Sequence, residues 1–250
     1  LVTATIPSNV SYIGWGVFNN CDNLVTVNLN ASIDRIPVNA FSYCPNLQNI
    51  TIPGSVIIID DDAFLWCTSI PSITIPDSVR IIGNGAFDLC SGLTSVTIGN
   101  SVTNIGNYAF SGCTGLTSVV FGNSVTSIGS SAFSGCSGLT DIEIPNSVTS
   151  IGSSAFYGCS NLQSLTSEIM QAESGVSRRL TIGNSAFYNC KKLKKITINS
   201  KKLTGTNVGA KAFKNTYAKV AITVPESKLT SYKTILKNKG VNANATIAGK

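Results

Sequence analysis

The sequence predicts an α/β solenoid, mostly β: a right-handed stack of short repeats with one parallel sheet, short second strands or turns, and a C-terminal helical cap. Three periodicities lead there, and a fixed period of this length is the signature of a repeat architecture. Phe18, Phe41, Phe64, Phe87, Phe110, Phe133 and Phe156 stand 23 residues apart, and Phe187 and Phe213 continue the series at spacings of 31 and 26. All eight cysteines follow one of these phenylalanines by three residues, from Cys21 to Cys190, with Thr216 in the ninth place. An apolar–polar alternation also recurs in one phase, at Val27/Leu29, Ile50/Ile52, Ile73/Ile75, Val96/Ile98, Val119/Phe121, Ile142/Ile144, Ile196/Ile198 and Ile222/Val224.

The best-preserved unit runs from Leu93 to Cys113. Its opening alternates with the period of a half-buried strand, so Val96 and Ile98 face inward and Ser95 and Thr97 outward. Gly99-Asn100-Ser101 has turn composition. Val102 and Ile105 then supply a second short extended stretch. Ala109-Phe110-Ser111-Gly112-Cys113 is too short for a long helix and reads as one helical or 3₁₀ turn closed by glycine. No unit can bury these apolar residues alone. Stacked at about 4.8 Å per rung, nine of them form a continuous interior about 43 Å long. The array is placed at residues 1–224, with an eight-residue insertion within 166–181. Residues 225–250 read as cap and tail, with Ser227 capping a helix over about 228–238 whose inner side is Leu229, Tyr232, Ile235 and Leu236. A cap is the preferred reading of that helix over a partner-binding one.

The unit L-x-x-V-x-I, then S-V-x-x-I-G-x-x-A-F-x-x-C, resembles the BspA-like class of leucine-rich repeats, from Leu1 to about Val224. The ending Val224-Pro225-Glu226-Ser227 is similar to the closing segment of that class. The resemblance implies an extracellular or cell-surface bacterial protein, with relatives in some parasitic protists. It also implies adhesion to host or matrix proteins, and it brings no catalytic residue.

Charged residues make up 12% of the chain, while serine, threonine, asparagine and glycine are abundant, a balance expected of a secreted repeat protein rather than a cytosolic one. No apolar run approaches the roughly 18 residues that span a bilayer. Leu1, Ala4 and Ile6 are already in strand phase, so any export signal or anchor is expected to lie upstream. Residues 1–160 hold nine acids and two arginines, and residues 161–250 hold three acids and sixteen lysines or arginines. The preferred reading is that lysines shield the last open sheet edge. The alternative is a patch for anionic polymers. Nucleic acid is disfavoured, because the basic stretch interleaves few aromatics beyond Tyr188, Phe213, Tyr217 and Tyr232.

The cysteines are expected to be free and buried, in preference to adjacent-rung disulfides, because their side chains run parallel. Metal binding is the weakest reading, since no close C-x-x-C pair occurs. The chain has no histidine, which removes the commonest general base. Asp141 and Glu143 alternate on a strand and project together, but from an open surface. Asp60-Asp61-Asp62 is expected to cap the following Ala63-Phe64 turn. The insertion, from Thr166 to Arg179, reads as a drifted loop in preference to a binding one. No cofactor or metal is expected, and no membrane insertion. The function expected is non-catalytic recognition of host or matrix proteins or surface glycans, through the exposed sheet and the basic C-terminal end. Its candidate contacts are Asp141, Glu143, Ser164, Thr166, Arg178, Arg179, Lys195 and Thr197. The alternative is a structural spacer that holds another domain away from the cell.

Overall fold

The computed structural model describes residues 2–167 and 179–250. In chain order the strands are β1 (Thr3–Ile6), β2 (Thr26–Leu29), β3 (Arg35–Ile36), β4 (Asn49–Ile50), β5 (Ile58–Ile59), β6 (Ser72–Ile75), β7 (Ile81–Ile82), β8 (Ser95–Ile98) and β9 (Asn104–Ile105). They continue as β10 (Ser118–Val120), β11 (Ser127–Ile128), β12 (Asp141–Ile144), β13 (Ser150–Ile151), β14 (Ser164–Ser167), β15 (Thr181–Ile182), β16 (Lys195–Ile198), β17 (Ala221–Val224) and β18 (Thr246–Gly249). A 3₁₀ turn over Glu226–Lys228 leads into helix α1 (Leu229–Asn238).

The solenoid is as expected, with parallel strands in register and equivalent residues of successive rungs side by side, as in Ser72↔Ser95 and Ile75↔Ile98. Instead of one sheet there are two faces. The short second strands pair into a continuous seven-stranded sheet, β3 through β15. The long face divides into β1-β2-β4, β6-β8-β10 and β12-β14-β16-β17-β18. The first division has a covalent cause. Thr94 N–H donates to Pro71 O at 2.8 Å and Thr117 N–H to Thr94 O at 2.8 Å, but Pro71 itself has no N–H to give Gln48. The second lies beside Phe121, which occupies the place of Ile98. Its ring is too large for that slot and turns edge-on to Phe133 at 5.8 Å. Val119 and Phe121 are therefore only partly buried, whereas Val96 and Ile98 are buried.

The phenylalanines form one column through the core. From Phe18 to Phe213 successive rings are stacked with centroids 4.9–5.5 Å apart, and Phe41 through Phe213 are fully buried. That separation is the rung pitch imposed by the backbone ladders, since facing rings left to themselves prefer an offset or edge arrangement. The turn that carries each phenylalanine is not the helical or 3₁₀ turn expected. Alternate donors serve the next rung, Tyr108 N–H to Ser130 O at 2.9 Å, Phe110 N–H to Ala132 O at 2.7 Å and Gly112 N–H to Ser134 O at 2.7 Å, while those between them close local bonds, as in Ser111 N–H to Tyr108 O at 3.0 Å. Alternating left-handed residues, Tyr108 at φ 58° and Gly112 at φ 66°, aim those N–H groups along the stack. Between this turn and the second strand, Pro37 and Asp60 give way to glycine from Gly83 to Gly183, where the backbones of successive rungs approach closely. A Cβ on Gly106 would stand 2.5 Å from the Gly83 backbone, and one on Gly129 would stand 2.5 Å from that of Gly106.

The eight cysteines carry free thiols, seven of them buried and Cys21 partly exposed. Each buried thiol donates to the carbonyl of the phenylalanine one rung back, as in Cys90 Sγ to Phe64 O at 3.1 Å and Cys113 Sγ to Phe87 O at 3.2 Å. The thiol is the second donor to that buried carbonyl, which the cysteine N–H of its own rung also reaches, Cys67 N–H to Phe64 O at 3.2 Å. Desolvation pushes Cys113 well above 9.0, so it stays protonated and unreactive at neutral pH. An alkylating reagent at pH 8 is accordingly expected to label Cys21 in the folded chain and all eight thiols after denaturation; rapid native labelling of Cys113 would contradict this packing.

At the C-terminus, α1 closes the stack with Tyr232 and Leu236 buried. Tyr232 Oη donates to Ser200 O at 2.9 Å and accepts from Leu203 N–H at 2.8 Å. Two sequence expectations fail here. Ser227 lies inside the 3₁₀ turn, which runs directly into α1 through a helical Lys228, so no side-chain cap is formed. The segment after the helix is more than a tail, because β18 returns to pair with β17 along its full length. That strand is the terminal edge, and Lys250 carries it on, its N–H donating to Val224 O at 3.0 Å. The insertion leaves the register intact: β14 pairs with β16 and β13 with β15 on either side of it.

Candidate binding surface

Outward positions on the long face fall into two rows set by strand register. One row reads Asp141, Ser164, Lys195, Ala221 and the other Glu143, Thr166, Thr197, Thr223. The preceding rungs place Ser72, Ser95 and Ser118 in the first row and Thr74, Thr97 and Val120 in the second. Alternation alone dictates this, because inward and outward residues must exchange at every step of a strand.

A shallow cavity of about 470 Å³ opens at the β10/β12 division, lined by Thr117, Ser118, Val119, Thr140, Asp141, Ile142, Glu143, Ser164 and Thr166. Four of the predicted contacts, Asp141, Glu143, Ser164 and Thr166, therefore share one depression. Ser164 Oγ donates to Asp141 Oδ1 across the strands. Lys195 and Thr197 stand one strand further along the same rows. Arg179 is exposed just ahead of β15, by the second sheet, and is not brought to this face. Arg178 and most of the insertion lie outside the described residues.

Asp60-Asp61-Asp62 does not cap its own turn. Asp61 accepts from Asn84 N–H at 2.6 Å and from Asn84 Nδ2 at 3.1 Å, one rung on. Asn84 Oδ1 in turn accepts from Asn107 N–H at 2.9 Å, and Asn107 Oδ1 from Ser130 N–H at 2.7 Å. Asp61 is thus the first member of an amide ladder. Asp60 pairs with Arg35 at 3.3 Å; burial raises its pKa and the guanidinium opposes that rise. The spacing of Asp61, Asn84 and Asn107, again 23 residues, was the available signal for this role.

The basic end is dispersed. Lys191, Lys192, Lys194 and Lys195 are exposed around the start of β16, Lys192 donating to Asn161 Oδ1 at 2.8 Å and Lys194 lying 5.8 Å from the Tyr217 ring centroid. Exposed aromatic and aliphatic side chains instead collect in the first five rungs, away from the long face. They include Trp15, Tyr43, Trp66, Leu89 and Tyr108. The sequence reading passed over them, although Tyr43, Trp66 and Leu89 stand where later rungs have glycine or asparagine.

The family model described as the BspA type leucine-rich repeat region matches six copies, over residues 1–116, 81–171 and 173–238. The chain belongs to that family. This BspA-type chain is similar in fold to a leucine-rich repeat protein from Bacteroides ovatus, at 23% identity and a TM-score of 0.66, covering 100% of this chain and 71% of that one. It also resembles the leucine-rich repeat protein of T. pallidum, at 21% identity and a TM-score of 0.52, covering 98% and 86% of the two chains. The pneumococcal vaccine antigen PcpA matches at 17% identity and a TM-score of 0.52, over 100% of this chain and 79% of its own. No curated protein matches in sequence. Among the described residues, no helix is long and apolar enough to cross a membrane.

Proposed function

We propose that this BspA-type array is a non-catalytic recognition scaffold, displayed outside the cell or on its surface, that binds a protein or glycan partner through its long sheet face. The observation that carries this reading is the depression at the β10/β12 division. There Asp141 and Glu143 share one depression with Thr117, Ser164 and Thr166, on a face whose preceding rungs present mostly serine and threonine. An open cavity of this kind gives a partner hydrogen-bonding groups of both senses without enclosing it, which suits contact better than chemistry. Multivalent engagement along the repeated rows would add avidity. The dispersed lysines near β16 are a secondary place for anionic polymers. Membership of a family of repeat scaffolds and the weakly charged surface support display outside the cell.

A spacer is the second reading, favoured by the chemical uniformity of Ser72/Thr74 and Ser95/Thr97. The test is a screen of the intact chain against matrix proteins and a glycan array, repeated with D141N/E143Q and with S95A/T97A. Recognition at the depression predicts a partner whose affinity falls about tenfold in D141N/E143Q, the loss of one or two good polar contacts, and is unchanged in S95A/T97A. Absence of any partner, or equal binding by both variants, would leave the spacer.

A further inference from the structure

Of the 18 basic residues in the chain, four are arginines and fourteen are lysines, and every lysine lies in residues 191–250. Glu226 is the one acid in that stretch. Eleven of the lysines are exposed, and Lys202, Lys228 and Lys239 are partly buried. Among the described residues no lysine is in an ion pair, the two pairs present both belonging to Arg35. The last rungs and the cap therefore carry a dense, accessible positive charge that the described residues do not neutralise.

The fold does not call for these lysines. One rung places Ser160, Asn161, Gln163 and Ser164 around the buried Leu162, and the next places Lys191, Lys192, Lys194 and Lys195 around the buried Leu193. Likewise Lys211 and Lys214 flank Phe213 where Ser131 and Ser134 flank Phe133. Edge protection does not account for the first group, because β16 lies two strands inside the edge formed by β18. On α1, Lys233 and Lys237 are both exposed and four residues apart, a like-charge spacing that disfavours the helix. The groups also face different sides. Lys195 begins β16 on the long face, Lys211 and Lys214 are on the Phe-bearing turn, and α1 closes the end, its Lys239 C=O accepting from Phe213 N–H at 3.1 Å. The charge is thus a collar around the end of the stack.

We propose that this collar binds a flexible linear phosphate polymer, a chain of phosphodiester or phosphoanhydride links that wraps the basic end. The proposal rests on the anionic-polymer reading of the lysines given above, names its chemistry, and is independent of the depression. Lysine meets phosphate as a point charge, whereas the planar carboxylates of a uronate polymer favour the arginine fork, which residues 191–250 lack. Tyr217 is the large apolar side chain left exposed in this stretch, and Lys194 Nζ already lies 5.8 Å from its ring centroid. That leaves no platform for stacking bases and no apolar face to enter a bilayer. A stiff duplex or a flat membrane would touch one side of the collar. A flexible chain follows it round and releases counterions at each lysine it meets.

The test is calorimetric titration of the whole chain with four probes compared per anionic charge: long-chain inorganic polyphosphate, chondroitin sulfate, a blunt DNA duplex and phosphatidylglycerol vesicles. The expected result is saturable binding, tightest for polyphosphate and weakened by salt. K191S/K192N/K194Q/K195S restores the residues of the preceding rung. It should lower polyphosphate affinity by roughly tenfold or more, and reduce the slope of log affinity against log salt by about 3, near 0.7 per lysine removed. K211S/K214S, on another side, should reduce that slope by roughly half as much. Thermal unfolding should be unchanged in both. Three outcomes would overturn the proposal: no saturation by polyphosphate, equal or tighter binding of any other probe, or wild-type affinity in either variant, which would mean a one-sided patch. If the fourfold variant fails to fold, K211S/K214S and the probe comparison still decide. Recognition at the depression is read by its own partner screen, which shares no variant with this titration, so either can fail alone.

Discussion

Raising the pH through 9.0 is expected to unfold this chain in one cooperative step. Cys67, Cys90, Cys113, Cys136 and Cys190 are held well above the ordinary thiol value of 9.0, and Cys159 is pushed to about 12, each chiefly by desolvation. In the unfolded chain the same thiols ionise near 9.0, so above that pH the native state binds more protons than the unfolded one. Stability is therefore full below pH 9 and is lost as the pH climbs toward the folded values. Each thiol contributes a slope of about 1.4 kcal/mol per pH unit, so six together give roughly 8 kcal/mol per unit. A typical domain stability of about 5–15 kcal/mol would be consumed within one or two units. Denaturant titrations at pH 7, 9 and 10, followed by far-ultraviolet circular dichroism, measure this directly. Equal stability at pH 9 and 10 would refute the buried thiol column, and each Cys→Ala replacement should remove one thiol's share of the slope.

Phe110→Ala is the second large effect. The ring is fully buried and stacked at 5.2 Å on both Phe87 and Phe133. Removing it leaves a cavity in the middle of a one-dimensional stack, at a cost of about 3–5 kcal/mol. Because each rung is stabilised only by its neighbours, the loss should also uncouple the two halves, giving a broader or two-step unfolding transition. Phe18→Ala is the matched comparison, since Phe18 is only partly buried and stacks on Phe41 alone. It should cost less and leave the transition sharp. Equal losses at the two positions would show that the column is not a coupled core.

Where each rung begins and which residues face inward could be read from the chain, because a 23-residue period leaves one phase for strand, phenylalanine and cysteine. The depression was half legible. Asp141 and Glu143 stood out as the acidic pair on a strand, and Ser164 and Thr166 followed from register. What set the depression there, a phenylalanine at 121 in an isoleucine slot, was visible as a break in the periodicity, yet its consequence depends on how a ring fits between rungs. Pro71 likewise announces a missing donor, but only knowledge of which carbonyl faces it turns that into a divided sheet. The Phe-bearing turn was misread for a general reason. Turn residues look local in sequence, and nothing at Tyr108, Phe110 or Gly112 says that their N–H groups are spent on residues 22 positions later. The strand β18 was missed because it follows a helix, where the period no longer applies.

Every rung, turns included, is tied to its neighbours by backbone hydrogen bonds, the Phe-bearing turn through alternate N–H groups. Residue-resolved amide hydrogen exchange on the folded chain at neutral pH tests it most directly. The N–H groups of Phe87, Phe110 and Phe133, each bonded to an alanine carbonyl of the next rung at 2.7 Å, are expected to be protected as strongly as the strand amides of Val96 and Ile98. Exchange of those three at the rate of open turns, with the strands still protected, would contradict it.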